Sequence, residues 1–173
     1  MGGVLHELFN FPNPVNEVSA RLVAAGVVIL AILTLVLDQP WLLIPLAYGF
    51  VARMLTGPTL SPLGQFVTRI VTPRLPVAPR YVAGPPKRFA QGIGATLTVA
   101  ALVLQFGFGL TDAAFVLVGL VLVAATLESV FALCIGCKAF AFLMRIGVVP
   151  ETVCERCNNL RLGDAPGVLV ASR

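Results

Sequence analysis

The sequence predicts an all-α integral membrane protein, with four transmembrane helices in two hairpins and both ends in the cytoplasm. Three observations predict it. Hydrophobic residues make up 58% of the 173 residues and charged residues only 12%, about half the charge of an ordinary soluble domain. The apolar residues gather into four long runs. Under a four-span arrangement, all 12 Lys and Arg fall on one side. A soluble fold of this size could not hide so much apolar surface, and lipid is the solvent that covers it.

The first run, Leu22 to Leu37, lies between Arg21 and Asp38. The stretch before it, Met1 to Val18, holds His6, Glu7 and Glu17 but no Lys or Arg. It lacks the basic start of a secretory leader, so the run is expected to be a retained span. Pro12, Asn13 and Pro14 form a rigid approach, and Asn16 is a candidate helix cap. His6 is expected to be solvated. The second run, Trp41 to about Leu55, contains Pro45 and Arg53. Both runs are short of the roughly 20 residues a span needs. They cross only with snorkelling flanks or a locally thin bilayer. A broken or re-entrant second segment would read the same way.

The third run, Phe89 to Leu110, contains Gln91 and Gln105. The fourth extends from Ala113 to about Met144, interrupted by Glu128 and Lys138. As one straight helix it would be about 47 Å long, more than the bilayer. The expected solution is a span ending between Ser129 and Gly136, a break at Gly136 and a short helix along the membrane surface. Asp38-Gln39-Pro40 and Gly109-Leu110-Thr111-Asp112 are the hairpin turns, with Thr111 or Asp112 as a cap. The proline-rich stretch Thr56 to Arg88 joins the hairpins. Within it, Leu63 to Val71 suits a short amphipathic interfacial helix. Trp41, Tyr48 and Tyr81 suit the interface. The chain thus divides into a membrane domain, 1–148, and a cytoplasmic tail, 149–173.

Orientation follows from the cations. Arg53, Arg69, Arg74, Arg80, Lys87 and Arg88 flank or occupy the central loop. Lys138, Arg145, Arg156, Arg161 and Arg173 follow the fourth span, and Arg21 precedes the first. The other side holds only Asp38 and Asp112. The basic side is expected to face the cytoplasm, in a multi-pass protein of the inner membrane. Its cluster of Lys87 and Arg88 with Arg69, Arg74 and Arg80 suits an anionic partner or lipid headgroups; it is read as positive-inside bias with headgroup contact, not as a nucleic-acid site. No P-loop, dinucleotide fingerprint, Ser/His/Asp set or HExxH motif is present. The single histidine excludes bis-histidine haem ligation within one chain.

The four cysteines form two C-x-x-C pairs, Cys134/Cys137 and Cys154/Cys157. Both lie on the expected cytoplasmic side, where thiols stay reduced and a static disulfide is disfavoured. Three readings fit. In the first, Cys134 and Cys137 are a redox pair that forms a disulfide reversibly or carries sulfur. About 60° apart on a helix, their Cβ atoms would be about 5–6 Å apart, too far for a disulfide near 3.8 Å. A break at Gly136 would close the gap. Lys138 would then favour a Cys137 thiolate, making Cys137 the faster-reacting thiol and Cys137→Ser the disabling change. In the second, Cys134, Cys137, Cys154 and Cys157 hold a structural zinc, their order falling in the range of four-thiolate sites. In the third, the cysteines pack as small hydrophobes. Glu128 is costly this deep in an apolar helix. It serves either packing and hydrogen bonding, with Gln91, Gln105 or Arg88, or proton transfer to the thiols. The latter needs a bend, because Glu128 and Cys134 would point to different faces of one helix.

Three groups of residues in order carry a family resemblance. They are Pro12-Asn13-Pro14-Val15-Asn16-Glu17 with Ala20-Arg21, then Pro86-Lys87-Arg88-Phe89-Ala90-Gln91, then Glu128 upstream of Cys134-Ile135-Gly136-Cys137. Over roughly residues 10 to 148 the chain resembles the small bacterial membrane proteins of domain-of-unknown-function family 4395. The resemblance implies thiol or sulfur chemistry with a thioredoxin-like or sulfurtransferase (rhodanese-like) partner. The expected function is a membrane-embedded thiol redox protein with a C-x-x-C on its cytoplasmic face. The alternative is a non-enzymatic scaffold or assembly subunit holding zinc. Polar residues such as Glu128 in a small bundle also suit self-association or membership of a larger membrane complex.

Overall fold

Asn16 sets the start of the first helix. Its side chain accepts a hydrogen bond from the Val18 N–H at 3.0 Å and opens α1 (Glu17–Val36), satisfying one of the donors a helix start leaves free. The structure, a computed structural model, describes residues 14–148. His6, Pro12, Asn13, and the tail with Cys154 and Cys157 lie outside the described residues. Asp38, at φ 50, turns the chain. A single 3-10 turn (Pro40–Leu42) then leads into α2 (Leu43–Thr56).

Ser61 caps the short helix α3 (Pro62–Phe66), accepting from the Gly64 N–H at 3.2 Å. The coil continues through a π turn (Val67–Val71) and a 3-10 turn (Thr72–Arg74). This is where a short amphipathic helix was expected. No local pattern hinted at the next feature, a two-residue antiparallel ladder of β1 (Val15–Asn16) and β2 (Tyr81–Val82). The Glu17 N–H donates to the Arg80 carbonyl at 2.7 Å, and the two side chains pair at 3.1 Å. The approach to α1 is thereby tied to the approach to α4 (Gly84–Phe108).

Gly109, at φ 67, ends α4, and the Leu110 N–H closes back on Leu104. This left-handed stop suits glycine. Helix α5 (Thr111–Phe131) starts from Leu110 with no side-chain cap, so Thr111 and Asp112 sit inside its first turn and neither is the cap. Asp112 there still complements the helix dipole. Helix α5 ends at Phe131. Ala132 takes φ 55, the Leu133 N–H returns to the Leu127 carbonyl, and α6 (Ile135–Arg145) begins. The break lies within the expected interval, but not at Gly136. Gly136 is helical, in the first turn of α6.

Helices α1, α4 and α5 are long and apolar enough to cross a membrane, and Pro40–Thr56 is a shorter apolar helix. The protein is thus mostly helical, a multi-pass membrane protein by the length and composition of these helices. Helix α1 packs chiefly on α5, α2 on α4, and α4 also on α5, whereas α1 and α2 barely touch. The shared core is built of small residues such as Ala31, Ala95, Ala101, Ala114 and Val118, with Leu43, Leu46 and Phe50 filling wider gaps. Small residues let helix backbones approach where lipid offers no hydrophobic drive to associate. Gly94 accepts the Phe50 ring where a Cβ would lie 2.3 Å from the ring edge. Ile29, Val36, Val103, Val116 and Val123 cover the outer surface. Buried Thr34 and Thr98 donate to carbonyls one turn back, at Leu30 and Gly94, so no hydroxyl is stranded.

Candidate functional site

The ends of five helices meet at one end of the bundle, where the polar residues collect. Arg21, from the first turns of α1, donates to the Ser129 carbonyl through Nε and Nη2 (3.1 and 3.0 Å) and to the Val130 carbonyl at 3.1 Å. These are the free carbonyls of the last turn of α5, which has no basic residue of its own. A cation there also matches the negative end of the helix dipole. Arg21 thus holds the point at which the chain turns toward Cys134.

Lys87 and Glu128 form a second tie. Lys87 lies in the first turn of α4 and Glu128 in the last turn of α5, and Nζ to Oε1 is 2.5 Å. Both side chains are mostly buried, at 10% and 16% exposure. Glu128 therefore pairs with Lys87, not with Gln91, Gln105 or Arg88 as expected. Arg88 instead donates to the Met54 carbonyl at 3.1 Å. Gln105 lies fourteen residues along α4 from Gln91, about 21 Å away, with its buried Oε1 unpartnered among the described residues.

Arg53, near the end of α2, is the third cation of the cluster and only 6% exposed. Its Nε donates to Gln91 Oε1 at 3.1 Å and its Nη1 to Ser61 Oγ at 3.2 Å. The guanidinium lies over the Phe50 ring at 4.7 Å. The sequence contained a signal for it, a charge inside an apolar run. It had none for the pairing of Lys87 with a residue 41 positions away.

Cys134 and Cys137 sit against this cluster. Cys134 was expected within an apolar helix, but it is the N-cap of α6. Its backbone is extended, and its sulfur accepts the Cys137 N–H at 3.3 Å. Cys134 is buried and Cys137 half-buried, both as free thiols. Gly136 allows this position. A Cβ there would stand 2.5 Å from Ala90 Cβ and 2.6 Å from Ala90 Cα, so only glycine lets α6 rest on α4. Phe89 and Phe140 extend the same contact at 5.6 Å.

The two thiols differ sharply. A hydrogen bond from the Cys137 thiol holds Cys134 below the ordinary thiol range, against burial and the Glu128 carboxylate, while Lys87 and the Cys137 N–H push the same way as the bond. Donating that bond, being buried and facing the Cys134 charge raise Cys137 well above it. Of the two thiols, Cys134 is the one its surroundings push toward ionisation. This reverses the order expected from Lys138. Lys138 is exposed, and Lys87 is the cation that acts on both sulfurs.

A cavity of about 100 Å³ reaches into the bundle from this point, lined by Arg53, Gln91, Glu128, Cys134 and Gly136 among apolar residues of α1, α4 and α5. The kink after Phe131 lets Glu128 and Cys134 share it, although they would diverge on one straight helix. No group of three or more metal-ligating side chains occurs among the described residues. The expected four-thiolate set needs Cys154 and Cys157, which lie outside them. The arrangement can hold one thiolate at a helix start, keep its neighbour protonated and supply a nearby carboxylate. A model of the family described as Domain of unknown function (DUF4395) matches residues 15–145. No curated protein and no solved structure matches.

Proposed function

The chain belongs to the family described as Domain of unknown function (DUF4395), and from that premise we propose that it is a membrane-embedded thiol redox protein whose working pair is Cys134 and Cys137. One observation carries the reading: Cys134 caps α6, with the Cys137 N–H donated to its sulfur. A helix start favours a thiolate, and a second thiol one turn on is placed to resolve a mixed disulfide. The Cys134 thiolate attacks one sulfur of a partner disulfide. That bond breaks, a Cys134–partner disulfide forms and the other partner sulfur leaves as a thiolate. Cys137 then attacks Cys134 and releases the second partner thiol. The Cys137 proton passes to a leaving thiolate, with Glu128 as the near relay. The protein is oxidised by two electrons and the partner reduced by two. The reverse direction uses the same steps.

The partner is a thioredoxin-like or sulfurtransferase protein on the cytoplasmic side. In this reading the chain crosses the inner membrane four times. The ties of α2 support a fourth crossing. Its leading turn carries Trp41, which stacks on Phe106 near the far end of α4 at 5.2 Å, while Arg53 meets Gln91 near the start of α4. Helix α6 lies on the membrane surface, with Phe142 and Ile146 exposed to it.

Mass analysis after incubation with an oxidised thioredoxin-like protein tests the chemistry, alongside metal analysis and thiol counting. Cys137→Ser should trap a mixed disulfide through Cys134, and Cys134→Ser should trap none. One zinc per chain with no titratable thiol would overturn the redox reading in favour of a four-cysteine metal site.

A further inference from the structure

A second cavity, of about 170 Å³, adjoins the first. Val15, Ser19, Pro58 and Thr68 form part of its wall, Arg53 and Lys87 supply its charged groups, and Gln91 and the helix-capping Asn16 its amides. No carboxylate of the described residues lines it. Arg53 and Lys87, at 6% and 8% exposure as whole residues, are both buried. Lys87 has Glu128, but Arg53 has no carboxylate within 4 Å among the described residues. Nor do Arg53 Nη2 and the Gln91 amide nitrogen donate a hydrogen bond there. Among the described residues, two buried cations thus face one partly buried carboxylate. An uncompensated buried charge is costly, and a guanidinium with a free N–H beside an ammonium fits the oxygens of an anion.

We infer that this cavity binds a small oxyanion, held between Arg53 and Lys87 with Gln91 as a further donor. The inference does not depend on the thiol chemistry, because neither cysteine lines the cavity. Two sources supply the chemistry, a free oxyanion or the phosphate of a lipid headgroup. The second is reachable because the apolar groove between α1 and α2, lined by Leu30, Leu33 and Pro45, also ends at Arg53.

The test uses the full chain carrying Cys134→Ser and Cys137→Ser, purified in a maltoside detergent free of phospholipid. Inorganic phosphate, sulfate and, separately, dihexanoyl phosphatidylglycerol are titrated against Tm, with chloride at matched ionic strength. A saturable rise with phosphate or sulfate, absent with chloride, is expected. Arg53→Gln should weaken it about tenfold or more, the loss of one charge-assisted contact, and Arg53→Lys should recover part of it. Thr68→Leu, which fills the cavity and leaves both cations, should also remove it. A saturable, Arg53-dependent rise with phosphatidylglycerol alone identifies a headgroup as the source. No saturable rise with any probe, or equal rises in the parent and Arg53→Gln, overturns the inference. Should Arg53→Gln fail to fold, unchanged binding in Thr68→Leu overturns it.

Discussion

Cys134 and Cys137 differ by three positions, yet their environments push the two thiols in opposite directions. The hydrogen bond between them lowers one and raises the other. Alkylation should therefore modify Cys134 first once it is reached by a small reagent. Its rate should climb with pH through a midpoint below that of a free thiol, because the thiolate is the reacting form. Cys137 in the Cys134→Ser protein should titrate separately, having lost the neighbouring thiolate whose charge raises it. Rate profiles of the two single-serine variants, read by mass spectrometry, check this. A faster Cys137 in the parent protein would refute the assignment. Gly136 makes a second prediction at this scale. Gly136→Ala forces a Cβ into the Ala90 backbone, an overpacking that typically costs about 1–3 kcal/mol. Lower thermal stability together with faster Cys134 alkylation is expected, since α6 must lift from α4. The Cys-x-Gly-Cys was legible as a motif, but its glycine was assigned the wrong task. Sequence supplies helix-breaking tendency and not the presence of Ala90 in the way.

Between elements, the decisive contacts are charges that close helix ends. Arg21 serves the end of α5, and Lys87 joins α4 to α5 through Glu128. Removing one member of a mostly buried pair strands the other, typically at about 3–5 kcal/mol. Lys87→Met should therefore lower stability severely, while Lys87→Met with Glu128→Leu should lower it much less. Thermal unfolding in detergent measures both. Equal losses would mean that the pair is not coupled. The break after α5 offers a milder change. Ala132 holds a left-handed backbone, which costs a non-glycine residue about 1–2 kcal/mol. Ala132→Gly relieves that strain and should raise Tm slightly without altering thiol reactivity. The excess length of the fourth apolar run already required a break. Its position was hidden because alanine carries no mark of a left-handed backbone.

At the scale of the molecule, the cations collect at one end of the bundle. Arg21, Arg53 and Lys87 all belong to the polar cluster there, and Trp41 and Phe106 lie toward the other end. Under the proposed four crossings, the positive-inside rule predicts that this end faces the cytoplasm. Reporter fusions after Asp38 and after Asp112 should read as outside, and fusions in the central loop and after Arg173 as cytoplasmic. An outside signal from the central loop would invert the arrangement and move Cys134 and Cys137 to an oxidising compartment.

Composition and hydropathy by themselves determined that this is a helical, multi-pass membrane chain. Those properties follow from lipid solvation, which acts on each segment locally. The cap at Asn16, the turns at Asp38 and Gly109 and the prominence of Glu128 and the Cys-x-Gly-Cys were legible because they too are local. Only the tertiary structure decided that Lys87 is the partner of Glu128, that Arg53 stands buried between two cavities, and that the Cys134 thiol is pushed down while the Cys137 thiol is pushed up. Each of these depends on residues distant in sequence brought to one end of the bundle. The ladder of Val15–Asn16 with Tyr81–Val82 and the close seat of Gly136 on Ala90 help bring them there. Local pattern carries no trace of such distances, and burial gives a charge its consequence only once its neighbours are in place.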